Sequence, residues 1–195
     1  MKIFNFKLKA GFTMIELLIV IAVLGVLAVA VLSAINPIEQ INRGRDTSSK
    51  SDAEQLLSAI DRYNASRGLW PWQDVAADTA AVTFGAVTAT FPKGSICTMF
   101  QNLGSDPTHE TCKGTDEIKA AFTNRVTSTK SNALYIAYEG EPGDSVYVCF
   151  NPQSGSFKRE ADDRCDPAPT GFPTEACGAC PTASLGKNAN CVCLP

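Results

Sequence analysis

From Leu17 to Ile35 the chain runs nineteen residues without a charge. Wound into a helix at 1.5 Å per residue, that run is about 28 Å long, close to the roughly 30 Å hydrocarbon core of a bilayer. A segment of this kind either spans a membrane or is a signal that is cut away, which argues against a simple cytosolic domain. The residues that follow, about 160 of the 195, suit one modest globular domain better than two.

Charge and cysteine usage narrow the setting. The formal charge is −3 and the pI is about 5.2. With no long basic run, no nucleic-acid-binding surface is expected. All eight cysteines (Cys97, Cys112, Cys149, Cys165, Cys177, Cys180, Cys191 and Cys193) lie downstream of the apolar run. An even count beyond a membrane segment reads as disulfides formed outside the cytoplasm.

The residues ahead of the run carry Lys2, Lys7 and Lys9 and no acid, so this end is expected to stay cytoplasmic while the rest crosses outward. A secretory signal peptide would look similar, with a small-residue cleavage site at Ala28-Val29-Ala30. Glu16 breaks that reading. A carboxylate at the entrance of an apolar segment costs about 2–3 kcal/mol or more when carried unpaired into a bilayer. Met14–Ile35 offers no lysine or arginine to pair with it. A free α-amino group would serve, if the chain were cut just upstream.

The run Gly11-Phe12-Thr13-Met14-Ile15-Glu16-Leu17-Leu18-Ile19-Val20, behind a short lysine-bearing leader, resembles the processing site of type IV prepilins and of the related pseudopilins of type II secretion. The resemblance covers about the first third of the chain. It implies that a membrane peptidase cuts after Gly11, methylates Phe12 as the new N-terminus and leaves the apolar helix attached, with Glu16 as the acidic assembly residue. The new amine, with an unperturbed pKa near 8, would pair with Glu16 of a neighbouring copy. Loss of the leader removes three lysines and leaves 14 bases against 20 acids, a side-chain charge of −6.

Past Ile35, Pro37 cannot donate to the carbonyl of Ser33, so a kink or loosening is expected there. Asn42 to Ser49, with Gly44 inside it, is poor helix material. The resemblance implies that this stretch, between Pro37 and Gly44 and beyond, can lose helicity on assembly; a fixed kink is the other reading. From Ala53 an amphipathic register appears, with Ala53, Leu56, Leu57, Ile60 and Tyr63 on one face and Glu54, Ser58, Asp61 and Arg62 turned away. Gly68 closes it and Pro71 prevents a restart. Beyond it, Val82–Phe91 reads as strand-like. Thr115–Phe122 reads as a short helix with Thr115 as N-cap. Ala133–Glu139, Ser145–Phe150 and Ser156–Glu160 read as an antiparallel meander with turns at 140–144 and 152–155.

The expected fold class is α+β. A long N-terminal helix, membrane-spanning in its first half and amphipathic in its second, packs on an antiparallel β-sheet, as in the pilin-like fold that the resemblance implies. The expected boundaries are a leader at 1–11, a transmembrane or filament-core helix at 12–36, its amphipathic continuation at 37–68, a head at 69–165 and a Pro/Gly/Cys-rich tail at 166–195. In that tail cross-links are expected to replace a core.

Cys177-x-x-Cys180 with Cys191-x-Cys193 has spacing that could hold zinc, but outside a membrane the even count favours disulfides. Cys97 with Cys112 and Cys149 with Cys165 are local candidate pairs. Asp162, Asp163 and Asp166 could offer oxygens to calcium, though a solvated acidic turn explains them as well. No metal or other cofactor is predicted. His109, the single histidine, has no nucleophile pattern beside it and reads as a surface loop residue. Trp70 and Trp72 read as packing over the helix rather than an adhesive patch. Asn64-Ala65-Ser66 matches a glycosylation pattern but falls on a helix.

The chain is therefore expected not to be an enzyme but a subunit, major or minor, of a type IV pilus-like filament. The alternatives are a pseudopilin of a type II secretion piston and, without any catalytic constellation behind it, a membrane-anchored extracytoplasmic enzyme. Its expected partners are other copies of itself and related pilins, the prepilin peptidase, the assembly platform and, before assembly, the membrane. It is placed in the inner membrane as a single-pass protein with its head outside, then in a pilus or periplasmic pseudopilus.

Overall fold

The computed structural model describes residues 11–104, 111–112, 114–127, 133–141, 143–178, 180 and 190–195. The leader lysines and His109 lie outside the described residues. The chain divides into two units, Met1–Ile38 and Glu39–Pro195.

The first unit is helix α1, Met14–Ala34. It ends where Ile35 turns extended (φ −98°, ψ 129°) with its N–H still on the carbonyl of Val31. Helix α2, Pro37–Arg67, then starts afresh. Pro37 therefore interrupts rather than bends: it sits at a first helical position, where its missing N–H costs nothing and its fixed φ suits the helix. The expectation that Asn42–Ser49 is poor helix is not met, because α2 runs unbroken through Gly44. Local propensity is overridden by tertiary bonds. Asp46, Ser49 and Asp52 are buried on α2, and the two aspartates hold other parts of the head.

The amphipathic face of α2 is the one the spacing predicts. Ala53, Leu56, Leu57, Ile60 and Tyr63 are buried, and Glu54, Ser58, Asp61 and Arg62 are exposed. Gly68 closes the helix at φ +68°, its N–H on the carbonyl of Asn64 at 2.7 Å.

This face packs on a four-stranded antiparallel sheet in sequential order: β1 Val82–Ala86, β2 Leu134–Tyr138, β3 Tyr147–Phe150 and β4 Val192–Leu194. The register places Leu134 opposite Phe150, Ile136 opposite Val148, and Cys149 opposite Cys193. Alternation along the strands then sorts two cores. Leu134, Ile136, Tyr138, Val148, Phe150 and Val192 join the α2 side chains. Tyr135, Cys149 and Cys193 point to the other face, where Phe172, Ala176, Cys180 and Cys191 cover them. The tail thus supplies a strand and a second small core, which corrects the expectation that cross-links alone hold it.

Four disulfides follow from this layout: Cys97–Cys112, Cys149–Cys193, Cys165–Cys177 and Cys180–Cys191. The pair Cys149–Cys165 is not formed. Cys149 lies on β3 directly across from Cys193, at 3.9 Å between Cα atoms, and Cys165 meets Cys177 at 5.7 Å. Asp162 accepts a hydrogen bond from Asn190. Among the described residues no group of three or more His, Cys, Asp or Glu is placed to hold a metal.

Two short elements differ from expectation. Thr115 caps no helix: its N–H and hydroxyl both go to the carbonyl of Asn102, at the end of helix α3, Met99–Leu103. The next helix, α4, is Ala120–Val126, preceded by Lys119 with no side-chain cap. Asp116 takes a left-handed φ of 59°, which ends any helix starting at Thr115. Arg125 of α4 clasps the buried Asp52 with two nitrogens, at 3.1 and 2.6 Å.

The expected strand Ser156–Glu160 is instead helix α5, Gly155–Cys165, with Ser154 as N-cap. Its first backbone N–H groups meet carboxylates from α2. Asp46, 1% exposed, accepts from Gln153 N at 2.9 Å, Ser154 N at 2.7 Å and Ser154 Oγ at 2.6 Å. Glu39 accepts from Gly155 N at 2.9 Å. Two negative charges at a helix start, satisfying donors that have no partner within the helix, favour the helix over an extended strand. Trp72, 2% exposed, donates to the carbonyl of Ala80 at 2.7 Å and stacks on Trp70 at 5.5 Å. The tryptophans pack the head rather than form an adhesive surface.

Asp46→Ala would strand three donors, two of them on the buried Ser154, and should destabilise the head by about 2–4 kcal/mol. Asp46→Asn, which keeps one acceptor oxygen, should cost less. Denaturant unfolding of the oxidised chain measures both; an Asp46→Ala variant as stable as wild type would contradict the role given to this carboxylate.

Candidate assembly segment

Every large apolar side chain of α1 is exposed, from 48% at Val20 to 92% at Met14. The span Met14–Ser33 is 20 residues long and none of it is buried within the chain. At 1.5 Å per residue it measures about 30 Å, the thickness of a bilayer core. Removing one Leu, Ile or Val side chain from water is worth roughly 1.5–3 kcal/mol, so a helix with this apolar surface favours an apolar cover.

Only Glu16 and Ser33 within α1 carry polar side chains. Ser33 donates to the carbonyl of Ala30 at 2.9 Å, which spends its hydroxyl inside the helix. Glu16 forms a reciprocal cap with Thr13. The Thr13 hydroxyl oxygen accepts from Glu16 N at 3.3 Å. In return Glu16 Oε2 accepts from Thr13 N at 2.8 Å and from the Thr13 hydroxyl at 2.7 Å. Both bonds fall on one carboxylate oxygen. Among the described residues Oε1 accepts nothing, so Glu16 can close the helix start and still offer an oxygen to an external cation.

Gly11 and Phe12 precede this cap. Phe12 is 87% exposed, and no atom lies within 4 Å of where a Cβ on Gly11 would sit. A cut between Gly11 and Phe12 leaves Thr13 as the second residue with its backbone N–H intact, so the cap survives cleavage.

The structure thus gathers Gly11, Phe12 and Glu16 at the start of α1, where the sequence places them. Gly44 and all eight cysteines belong to the second unit, and Pro37 starts α2. Thr13 is the residue that sequence reasoning overlooked. Its signal is the spacing Thr13-x-x-Glu16, the pattern of a capping box ahead of an apolar run.

An exposed apolar helix long enough to cross a membrane, begun by a Thr13–Glu16 cap, and a disulfide-bonded head with its own cores are the two parts of a pilin-like subunit. Comparison with known proteins agrees. Residues 6–32 match the model of the prokaryotic N-terminal methylation motif. A fimbrial protein of Neisseria meningitidis serogroup B is 37% identical over 156 residues, 80% of this chain and 81% of that protein. The fimbrial protein EcpC of Eikenella corrodens is 31% identical, covering 50% of this chain and 67% of its own length. The type IV major pilin protein PilE of Neisseria gonorrhoeae is 32% identical, covering 46% and 60%. No solved structure matches the chain significantly. The chain belongs to the type IV pilin family.

Thr13→Val removes the cap and should cost about 1 kcal/mol of helix-start stability. Hydrogen exchange of the Met14–Glu16 amides in detergent micelles should then quicken about fivefold or more. Unchanged protection would contradict the cap.

Proposed function

We propose that this chain is made as a precursor, cut after Gly11 by a prepilin peptidase, methylated at Phe12 and held by α1 in the inner membrane with its N-terminus cytoplasmic and its head outside. Copies then leave the bilayer through an assembly platform and pack their α1 helices into the core of a type IV pilus. The observation that carries this reading is the exposure of the apolar side chains of α1, together with a second unit that has its own cores. The family supports the same reading, since its named members here are fimbrial proteins and a major pilin, and it favours a pilus over a secretion pseudopilus.

Glu16 sets the register. After cleavage each copy carries a cationic Phe12 amine and a carboxylate with one oxygen unspent. Pairing them between copies removes both charges from apolar surroundings, and a misplaced copy leaves an unpaired charge that costs several kcal/mol. Pro37 and Gly44 belong to the neck: the break before Pro37, and the glycine in the first turns of α2, are where helix can be given up on assembly at least cost. The role is structural and requires no catalytic group.

Intact-mass and N-terminal peptide analysis of the protein from processing-competent cells should find a chain beginning at N-methylated Phe12. A start at Met1 or Val31 would contradict the assignment. Glu16→Gln should leave that N-terminus in place yet cut sheared-filament yield by about tenfold or more, the effect of losing roughly 1.4 kcal/mol of docking energy. Wild-type yield would contradict the pairing.

A further inference from the structure

On the outer face of α5, Ser156, Arg159, Glu160, Asp163 and Arg164 line a recess of about 550 Å³, and Arg43 of α2 closes its side. The spacing of 156, 159, 160 and 163 keeps these side chains on one helix face, while Ala161 turns into the core. Each arginine is tethered by one nitrogen. Arg43 Nε donates to Ser156 Oγ at 3.1 Å and lies 3.8 Å from Glu39 Oε1. Arg159 Nε donates to the carbonyl of Gly155 at 3.3 Å, and Arg164 Nη1 to the carbonyl of Cys193 at 3.0 Å. The terminal nitrogens of Arg43 and Arg159 have no hydrogen-bond acceptor among the described residues. Tethered guanidinium groups with free N–H edges are pre-oriented for an oxyanion, and phosphate suits their planar fork.

Three arginines share the recess with two acids, Glu160 and Asp163. Glu160 is drawn toward Lys50 at 3.9 Å. The carboxylates of Asp46 and Glu39 are engaged by the backbone N–H groups of residues 153–155.

Arg43 follows Ala34, the last residue of α1, by nine positions. Those positions span about 13 Å if helical and at most about 30 Å if extended. For a chain held in a bilayer by α1, either distance reaches the phosphate layer that borders the hydrocarbon core. We propose that the Arg43–Arg159–Arg164 recess binds the phosphate of an anionic phospholipid of the outer leaflet while the chain awaits assembly. The site rests on the membrane-held reading above. Its function would be to keep the head at the bilayer surface until neighbouring copies replace lipid around α1.

Native mass spectrometry of the full chain, released from micelles doped with phosphatidylglycerol or phosphatidylcholine, tests this. Wild type should retain one phosphatidylglycerol about tenfold more strongly than phosphatidylcholine, and Arg43→Gln or Arg159→Gln should each abolish most of that preference. Lys93→Gln, an exposed change elsewhere in the head, should not. The two arginine variants lie on different helices, and each is compared only after its melting curve matches wild type; the lipid preference of wild type needs no variant at all. Equal retention of the two lipids would overturn the proposal. So would displacement of phosphatidylglycerol by inorganic phosphate, or by a short oligonucleotide, at lower concentration than by soluble glycerophosphoglycerol, since the site would then serve free phosphate or nucleic acid. Carbonate extraction separates the two levels. If it strips the full chain from membranes, the membrane-held reading fails; if the chain stays in and shows no headgroup preference, only the lipid site fails.

Discussion

The apolar surface of α1 governs this protein. Twenty residues long and exposed among the described residues, it is covered, on the proposed reading, first by lipid and then by the same helix of other copies. Both covers are apolar, so moving from one to the other changes the free energy far less than exposure to water would. That near-equivalence lets a bilayer hold subunits in readiness without trapping them. In the proposed assembly, direction and register fall to the few polar groups available, and Glu16 is capped by Thr13 through one oxygen, with no bond on the other among the described residues.

The head has packing of its own on both faces of its sheet. Its sheet is covered on both faces, by α2 on one and by the cysteine-bearing tail on the other. Three carboxylates of α2 fasten distant segments. Asp46 and Glu39 start α5, and Asp52 holds Arg125 of α4. With four disulfides added, the second unit has two cores and cross-links of its own.

What the sequence shows and what it hides divide along the range of the interactions. The apolar run, the α2 face from Ala53 to Tyr63 and the hairpin strands around residues 134–150 depend on local periodicity, and they are legible in the chain itself; the Gly11–Phe12 junction is read only from its resemblance to a processing site. Residues 156–160 look like a strand after a turn and fold as helix because Asp46 and Glu39, more than a hundred residues earlier, cap their start. Thr115 looks like an N-cap and instead bonds Asn102. Cys149 looks as near to Cys165 as to any other cysteine, and only the pairing of β3 with β4 brings Cys193 opposite. The helix through Gly44 contradicts local propensity for the same reason: its polar residues are engaged by a partner segment that spacing alone does not reveal. In the assembly segment only Thr13 was overlooked, and its spacing to Glu16 was there to be read.

The central claim is that other copies of the chain, not its own head, cover α1 in the assembled state. A photo-crosslinking residue in place of Leu24, in the middle of α1, tests it in sheared filaments. The account predicts a covalent dimer whose linked peptides both come from residues 12–36. Crosslinks confined to residues 39–195 of the same chain, or to lipid alone, would contradict it.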